Sequence, residues 1–188
     1  MNGRTGTGVA GPAPGLTGAP NAPAARPAPV RGRQRPGMRP WPLFTGLGPM
    51  GALPTVPGLA RAFTTLVLGS WDLASMVEVS ELIVSELSTN VVQAATKGDG
   101  SATYQADGRL TQMWLRLMSD RAQLRVEVWD NLPASAGIPV PRCPRPEEEH
   151  GRGLALVDRL SQGWGWDPVA GMRAKFVWAL LDARRRPF

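Results

Sequence analysis

The order in which hydrophobic periodicities follow one another constrains the fold of this chain more than any other feature. From about Leu53 onward, two segments with helical spacing come first, and segments that alternate apolar and polar residues follow them. Strands that are grouped, instead of alternating with helices, favour an α+β domain over a parallel βαβ fold. We therefore expect a two-layer sandwich, in which a mixed, mostly antiparallel sheet carries the helices on one face.

Both helical segments begin at residues that favour helix starts. Pro57 can occupy the first turn of a helix that continues to about Gly69. The residues of this helix that share an apolar face are Leu59, Phe63, Leu66 and Val67. The segment SMVE (75–78) has the form of a capping box, so it predicts a second helix that ends near Ala95 or Thr96. The apolar stripe of this second helix comprises Val79, Leu82, Ile83, Leu87, Val91 and Ala94.

Three strand-like segments follow the turn at residues 97–100, and the first of them, 102–106, is weak. Residues 110–118 and 124–129 alternate clearly, and in the latter Arg125 and Glu127 should point away from the core. Residues 131–150 are Pro-rich and then acidic, which is typical of a long functional loop. A helix over 151–160 and a closing hairpin of 163–167 with 175–181 complete the predicted order.

The N-terminal segment differs in composition from the rest of the chain. Residues 1–50 are rich in Gly, Pro, Ala and Arg, and we expect a disordered leader there, followed by a folded domain over 51–183 and a basic tail over 184–188. Seven of the 21 basic residues precede Trp71, which leaves fourteen against all fifteen acidic residues in the remainder. The surplus of +6 therefore belongs to the leader, and we expect no direct nucleic-acid contact by the folded domain.

Several functional classes conflict with the sequence. No apolar run of membrane-spanning length or signal-peptide type is present, so we expect a cytoplasmic protein that makes no membrane contact. Cys143 is the single cysteine, which excludes a multi-cysteine metal site. The segment GLGPMG (46–51) matches a dinucleotide-binding pattern, but Pro49 and Pro54 oppose the strand–turn–helix context that such a site requires.

Polar residues at three places in the predicted domain suggest a binding site. Glu86 and Asn90 are four residues apart, so they share one side of the second helix and continue its apolar stripe. Asp130 ends an apolar strand, where a carboxylate can accept a hydrogen bond from an exocyclic amine or simply cap a turn. The segment HGRG (150–153) precedes an apolar helix, whose N-terminal amides favour anions. Each feature alone also has a purely structural explanation, because polar residues border many helix faces.

Taken in this order, the three features resemble the GHKL (Bergerat-fold) superfamily. SELSTNVV (85–92) resembles its N box, WDN (129–131) its adenine-contacting strand end, and HGRGLALV (150–157) its second glycine box. The closing hairpin resembles that of small bacterial ATP-binding regulators similar to anti-sigma-factor serine/threonine kinases. The glycines that usually follow the aspartate are absent, since Asp130 is followed by NLPA (131–134).

The resemblance implies roles for individual residues. Asn90 would coordinate Mg²⁺, Glu86 would act as general base, and Asp130 would bind the adenine amine of ATP. The remaining residues that the resemblance places near the nucleotide are Gly151, Arg152, Gly153 and Lys175. It also implies a sigma factor or an anti-anti-sigma-like protein as partner, and a homodimer as a possible assembly.

Three functions are therefore open at the level of sequence. The first is a regulatory protein kinase that phosphorylates an antagonist protein. The second is a non-catalytic nucleotide-binding or partner-binding module of the same fold. The third is a nucleic-acid-binding protein that acts through its basic leader.

Overall fold

The computed structural model describes residues 41–105, 108–132, 152–169, 172 and 174–184. The predictions of a disordered leader before residue 41, of a long loop over 133–150 and of a tail beyond 184 lie outside the described residues. So does Gly151.

The described residues form an α+β domain around one antiparallel sheet, which confirms the predicted fold class. The five strands are β1 (Leu43–Gly51), β2 (Gln112–Ser119), β3 (Gln123–Asp130), β4 (Gly163–Pro168) and β5 (Lys175–Asp182). Their spatial order is β1-β2-β3-β5-β4, and each neighbouring pair is antiparallel. The mixed pairing that we expected is therefore not found among these strands.

Three helices accompany the sheet: α1 (Val56–Ser70), α2 (Val77–Ala94) and α3 (Arg152–Leu160). Helix α2 packs against α1, α3 and β3, so it lies at the centre of the helical layer. Among the residues that the structure describes, no helix is long and apolar enough to cross a membrane.

The core lies between the helical layer and one face of the sheet. The strand residues that point toward the helices and are almost fully buried are Met113, Leu115, Leu117, Leu124, Val126 and Val128. They pack with Ile83, Val84 and Leu87 of α2. Burial of each such side chain contributes about 1.5–3 kcal/mol. The apolar residues that alternate along β2 and β3 therefore face the helices, as the sequence predicted.

Helix α1 buries only part of the face that we predicted, since Phe63 and Val67 are half-buried against the core. Its buried residues are Val56, Ala60, Thr64 and Leu68. Leu59 and Leu66 are instead 52% and 75% exposed. Small side chains on the buried face let α1 approach its neighbours closely, and the Thr64 hydroxyl is satisfied by donating to the Ala60 carbonyl at 2.8 Å. Leu82 of α2, which we placed in the stripe, is also 44% exposed.

Two local predictions from sequence patterns are wrong. The capping box at 75–78 does not form, because a short 3₁₀ turn (Ala74–Met76) precedes α2 and the N-cap residue Met76 makes no side-chain cap. Met76 is 2% exposed, so its side chain packs in the core and does not cap the helix. Instead of a strand over 102–106, isolated bridges join Thr96 to Ala102 and Tyr104 to Leu110.

Strand β1 lies within the segment that we assigned to the leader, so the folded part begins at least eight residues earlier than predicted. Leu43 pairs with Ser119 and Gly51 with Gln112, with an irregularity between Leu47 and Met50. Gly48 lies at this irregularity with φ 130, and a Cβ there would approach the Met113 carbonyl oxygen to 2.9 Å. The glycines of GLGPMG therefore serve close strand packing at the sheet edge and not a dinucleotide.

The other face of the sheet is closed by stacked side chains. Glu127 points away from the helices as predicted, yet it is only 5% exposed. It accepts from Arg125 Nε at 2.7 Å and from Trp129 Nε1 at 2.9 Å. One face of the Trp129 ring stacks on Phe176 at 4.6 Å, and the Arg116 guanidinium lies 5.0 Å from the same ring. These contacts tie β2, β3 and β5 together.

Candidate functional site

Asp130 and Lys175 form a buried ion pair at one end of the sheet. Asp130 ends β3, Lys175 begins β5, and the two residues are directly opposite each other in the ladder. Lys175 Nζ donates to Asp130 Oδ1 at 2.8 Å. The side chains are 11% and 1% exposed, respectively. The alternation of β3 places Asp130 on the same side as Val126 and Val128, so the pair faces the helical layer.

The segment after Asp130 holds this carboxylate with its own backbone. The Leu132 amide donates to Asp130 Oδ1 at 3.0 Å. The backbone N–H of Asn131 donates to the backbone carbonyl of Gln112 at 3.2 Å. The backbone N–H of Gln112 in turn donates to the side-chain Oδ1 of Asn131 at 2.8 Å. Asn131 thus extends the β2–β3 pairing by one residue. Leu132, the second residue after Asp130, is 3% exposed and packs in the core.

Opposing effects act on the protonation of Asp130. Burial raises the pKa of Asp130 above its ordinary value, because a desolvated carboxylate loses hydration. The hydrogen bond and charge of Lys175, together with the Leu132 amide, act in the opposite direction. The ionised state of this carboxyl group therefore depends on Lys175.

Glu86 and Gly153 are brought together from two different helices. Glu86 lies on α2 with a half-buried side chain, and Gly153 lies in the first turn of α3. A Cβ at residue 153 would overlap Glu86 Oε2 and lie 3.2 Å from Glu86 Cδ. Only glycine fits there without displacement of the carboxylate.

Asn90 lies one helical turn beyond Glu86 and is also half-buried. Both residues therefore occupy the flank of α2 and not the centre of its buried face, which is formed by residues such as Ile83 and Leu87. Of the other predicted site residues, Arg152 begins α3, and the position of its side chain is outside the description.

Sequence reasoning missed two features of this site. The Asp130–Lys175 pair depends on the register between β3 and β5, which no local pattern specifies. The link between Asn131 and Gln112 depends in the same way on the pairing of β2 with β3. An Asn directly after a strand-end Asp is a signal for turn formation, but it does not reveal the strand to which the Asn side chain binds.

Three kinds of ligand-binding group occur on these elements, each at its own place. Asp130 is an acceptor-only carboxylate when ionised, Asn90 offers an amide oxygen, and the first turn of α3 offers free amide groups. The described residues contain no group of three His, Cys, Asp or Glu that could hold a metal ion. Mg²⁺ commonly takes only one or two protein ligands and completes its shell with phosphate and water, so a single Asn oxygen fits it.

Helices on one face of the sheet, a carboxylate at a strand end, and a glycine at a helix start beside a carboxylate are features that we expected of a GHKL-type ATPase domain. A family model described as Histidine kinase-like ATPase domain matches residues 53–170. Since this match covers more than half of the chain, the protein belongs to that family. A comparison with curated proteins finds no match. The matched range excludes β1 and also β5, which carries Lys175.

Proposed function

We propose that this protein is a cytoplasmic, ATP- and Mg²⁺-dependent serine/threonine kinase of the anti-sigma-factor-like type. The observation that carries the proposal is the contact between Glu86 on α2 and Gly153 at the start of α3. This contact supports the proposal because the Glu86 carboxylate, which we assign as the general base, lies beside a helix N-terminus, and helix N-termini suit phosphate. The partners would be an anti-anti-sigma-like protein as phosphate acceptor and a sigma factor as sequestered target.

Each group has a distinct task in this proposal. Asp130 accepts a hydrogen bond from the adenine amine at the end of β3. Asn90 would hold Mg²⁺ through its side-chain oxygen, and the ion would lower the charge repulsion at the phosphates. The amides of Gly151, Arg152 and Gly153 hold phosphate oxygens at the start of α3.

Glu86 would take part in the transfer itself. Its carboxylate accepts the proton of a serine or threonine hydroxyl on the substrate protein. That hydroxyl oxygen forms a bond to the γ-phosphorus, and the bond from the γ-phosphorus to the β–γ bridging oxygen breaks. The electron pair of the broken bond stays on ADP. Such transfer depends mostly on positioning and charge neutralisation.

A second candidate is a non-catalytic module that binds nucleotide or a partner without phosphoryl transfer. One observation favours it: the glycines that usually follow the aspartate are absent, and Leu132 in this segment is instead buried in the core. The segment that leaves Asp130 is thereby fixed by the core, whereas glycines allow a backbone to approach phosphates closely.

Glu86→Gln distinguishes the two candidates. The purified protein is incubated with γ-labelled ATP, Mg²⁺ and a panel of anti-anti-sigma-like proteins, and phosphoserine and phosphothreonine are quantified. We expect Glu86→Gln to reduce the rate of transfer by about 10²–10⁴-fold while ATP binding is retained. Glu81→Gln is the matched control, because Glu81 lies on the same helix but accepts a hydrogen bond from Thr65 of α1.

The outcomes separate clearly. Unchanged transfer by Glu86→Gln would show that Glu86 is not the general base. Absence of transfer by the wild-type protein toward the whole panel, together with intact ATP binding, would favour the non-catalytic module.

A further inference from the structure

We propose that Lys175 is a positioning residue for nucleobase recognition, which holds Asp130 as a carboxylate with Oδ1 bound to the protein and Oδ2 available to the base. This inference rests on the proposed function, because it assumes that Asp130 receives the amine of ATP. It assigns to Lys175 an action through Asp130, in place of the direct approach to the nucleotide that the resemblance implied.

The hydrogen bonds of Asp130 are divided unequally between its two oxygens. Oδ1 accepts from Lys175 Nζ at 2.8 Å and from the Leu132 amide at 3.0 Å. No residue in the described part of the chain donates to Oδ2. A ligand that offers one amine hydrogen can therefore be satisfied by Oδ2 without loss of a contact within the protein.

The charge of Lys175 matters because Asp130 is 1% exposed. A carboxylate buried to this degree becomes protonated unless a positive charge or several donors hold it ionised. A protonated carboxyl group carries its own donor, whereas an ionised one is acceptor-only and matches an exocyclic amine. Lys175 thus preserves the hydrogen-bonding character that recognition of the amine requires.

No other described strand residue can replace this charge. On the helix-facing side of the sheet, β2 presents Met113 opposite Asp130, and β4 presents Pro168 opposite Lys175. In the helical layer, the charged residues of α2 are all acidic (Glu78, Glu81 and Glu86), so this helix offers no positive charge to a carboxylate. The ammonium of Lys175 is itself engaged with Asp130 Oδ1 at 2.8 Å, so it acts on the carboxylate.

The family match does not account for this lysine. It ends at residue 170, whereas Asp130 lies inside the matched range and Lys175 five residues beyond it. The ion pair therefore joins a residue of the matched domain to one that the match does not include.

The test combines a lysine substitution with removal of the amine from the ligand. Affinities of wild-type protein and Lys175→Met for Mg·ATP and for Mg·purine riboside triphosphate, which lacks the 6-amine, are measured by calorimetry between pH 5 and pH 8. We expect Lys175→Met to weaken ATP binding at least tenfold at pH 7, about 1.4 kcal/mol, and to change binding of the analogue by less than twofold.

The pH profile supplies a readout that a merely structural lysine would not move. Loss of the ammonium removes an influence that lowers the pKa of Asp130, so protonation begins at higher pH. ATP affinity of Lys175→Met should therefore decline at a higher pH than that of the wild type as the solution is acidified. Lys175→Arg, which keeps the charge, should restore the wild-type profile.

Lys97→Met is the matched control, since Lys97 is the only other lysine and is exposed. If Lys175→Met does not fold, Lys175→Gln serves in the same comparison, because it keeps a donor without the charge. Equal losses for ATP and for the analogue, or an unchanged pH profile, would overturn the inference. Failure of the wild-type protein to bind ATP at all would instead refute the proposed function.

Discussion

At the residue scale, the Asp130–Lys175 pair should be strongly coupled in stability. Removal of one partner leaves the other charge buried and uncompensated, which typically costs about 3–5 kcal/mol. We expect Asp130→Ala and Lys175→Met each to lower the free energy of unfolding by about this amount, and the double variant to lose far less than the sum. Urea unfolding of the four proteins measures the coupling; additive losses would show that the pair is not a unit.

Gly153 provides a second test at the residue scale. A methyl group at this position would overlap Glu86 Oε2, so Gly153→Ala should displace this flexible carboxylate and lose the gain of about 0.5–1 kcal/mol that alanine otherwise gives in a helix. Gly69→Ala is the control, because a Cβ there has no atom within 4 Å and alanine favours the helix by about 0.5–1 kcal/mol. Thermal unfolding compares the two variants, and similar effects would contradict the close contact.

At the residue scale, spacing along one helix predicts which side chains share a side of that helix. Glu86 and Asn90 share a flank of α2 because four residues make about one helical turn. The partnership of Asp130 with Lys175 lies beyond such reasoning, since 45 residues separate them and only strand register brings them together.

At the element scale, α1 shows that apolar residues of the same type in one helix can differ widely in burial. Leu68 is fully buried, whereas Leu66 is 75% exposed. We expect Leu68→Ala to lower the free energy of unfolding by about 2–5 kcal/mol. Leu66→Ala, the matched control in the same helix, should change it by less than about 0.5 kcal/mol. Chemical denaturation distinguishes them, and a large loss for Leu66→Ala would contradict the observed orientation of α1.

The edge strand β1 was also not predicted from the sequence, for a physical reason. Its glycines and Pro49 lack the β-branched and aromatic character of strands, and pairing with β2 supplies what local preference does not. Removal of residues 1–42 should leave the unfolding midpoint unchanged, whereas removal of residues 1–51 should lower it clearly, because the edge of β2 loses its partner. Equal midpoints for the two truncated proteins would show that β1 does not stabilise the sheet.

At the scale of the whole molecule, the α+β class followed from the order of periodicities, because grouped strands leave few ways to pair. The strand order β1-β2-β3-β5-β4 did not follow, since it requires β5 to lie between β3 and β4. This order brings Lys175 of β5 to Asp130 of β3, while the packing of α2 on both β3 and α3 brings Glu86 to Gly153. The site is therefore a product of topology as much as of its motifs.

The central claim is that the flank of α2 helps to form a nucleotide site completed by a metal ion. It is tested most directly by calorimetric titration of ATP with and without Mg²⁺, on wild-type protein, on Asn90→Ala and on the control Gln93→Ala, which alters an exposed residue of the same helix. We predict that Mg²⁺ strengthens ATP binding by wild type and Gln93→Ala, and that Asn90→Ala loses this increment. An equal Mg²⁺-dependent gain in Asn90→Ala, or no ATP binding by the wild-type protein, would contradict the account.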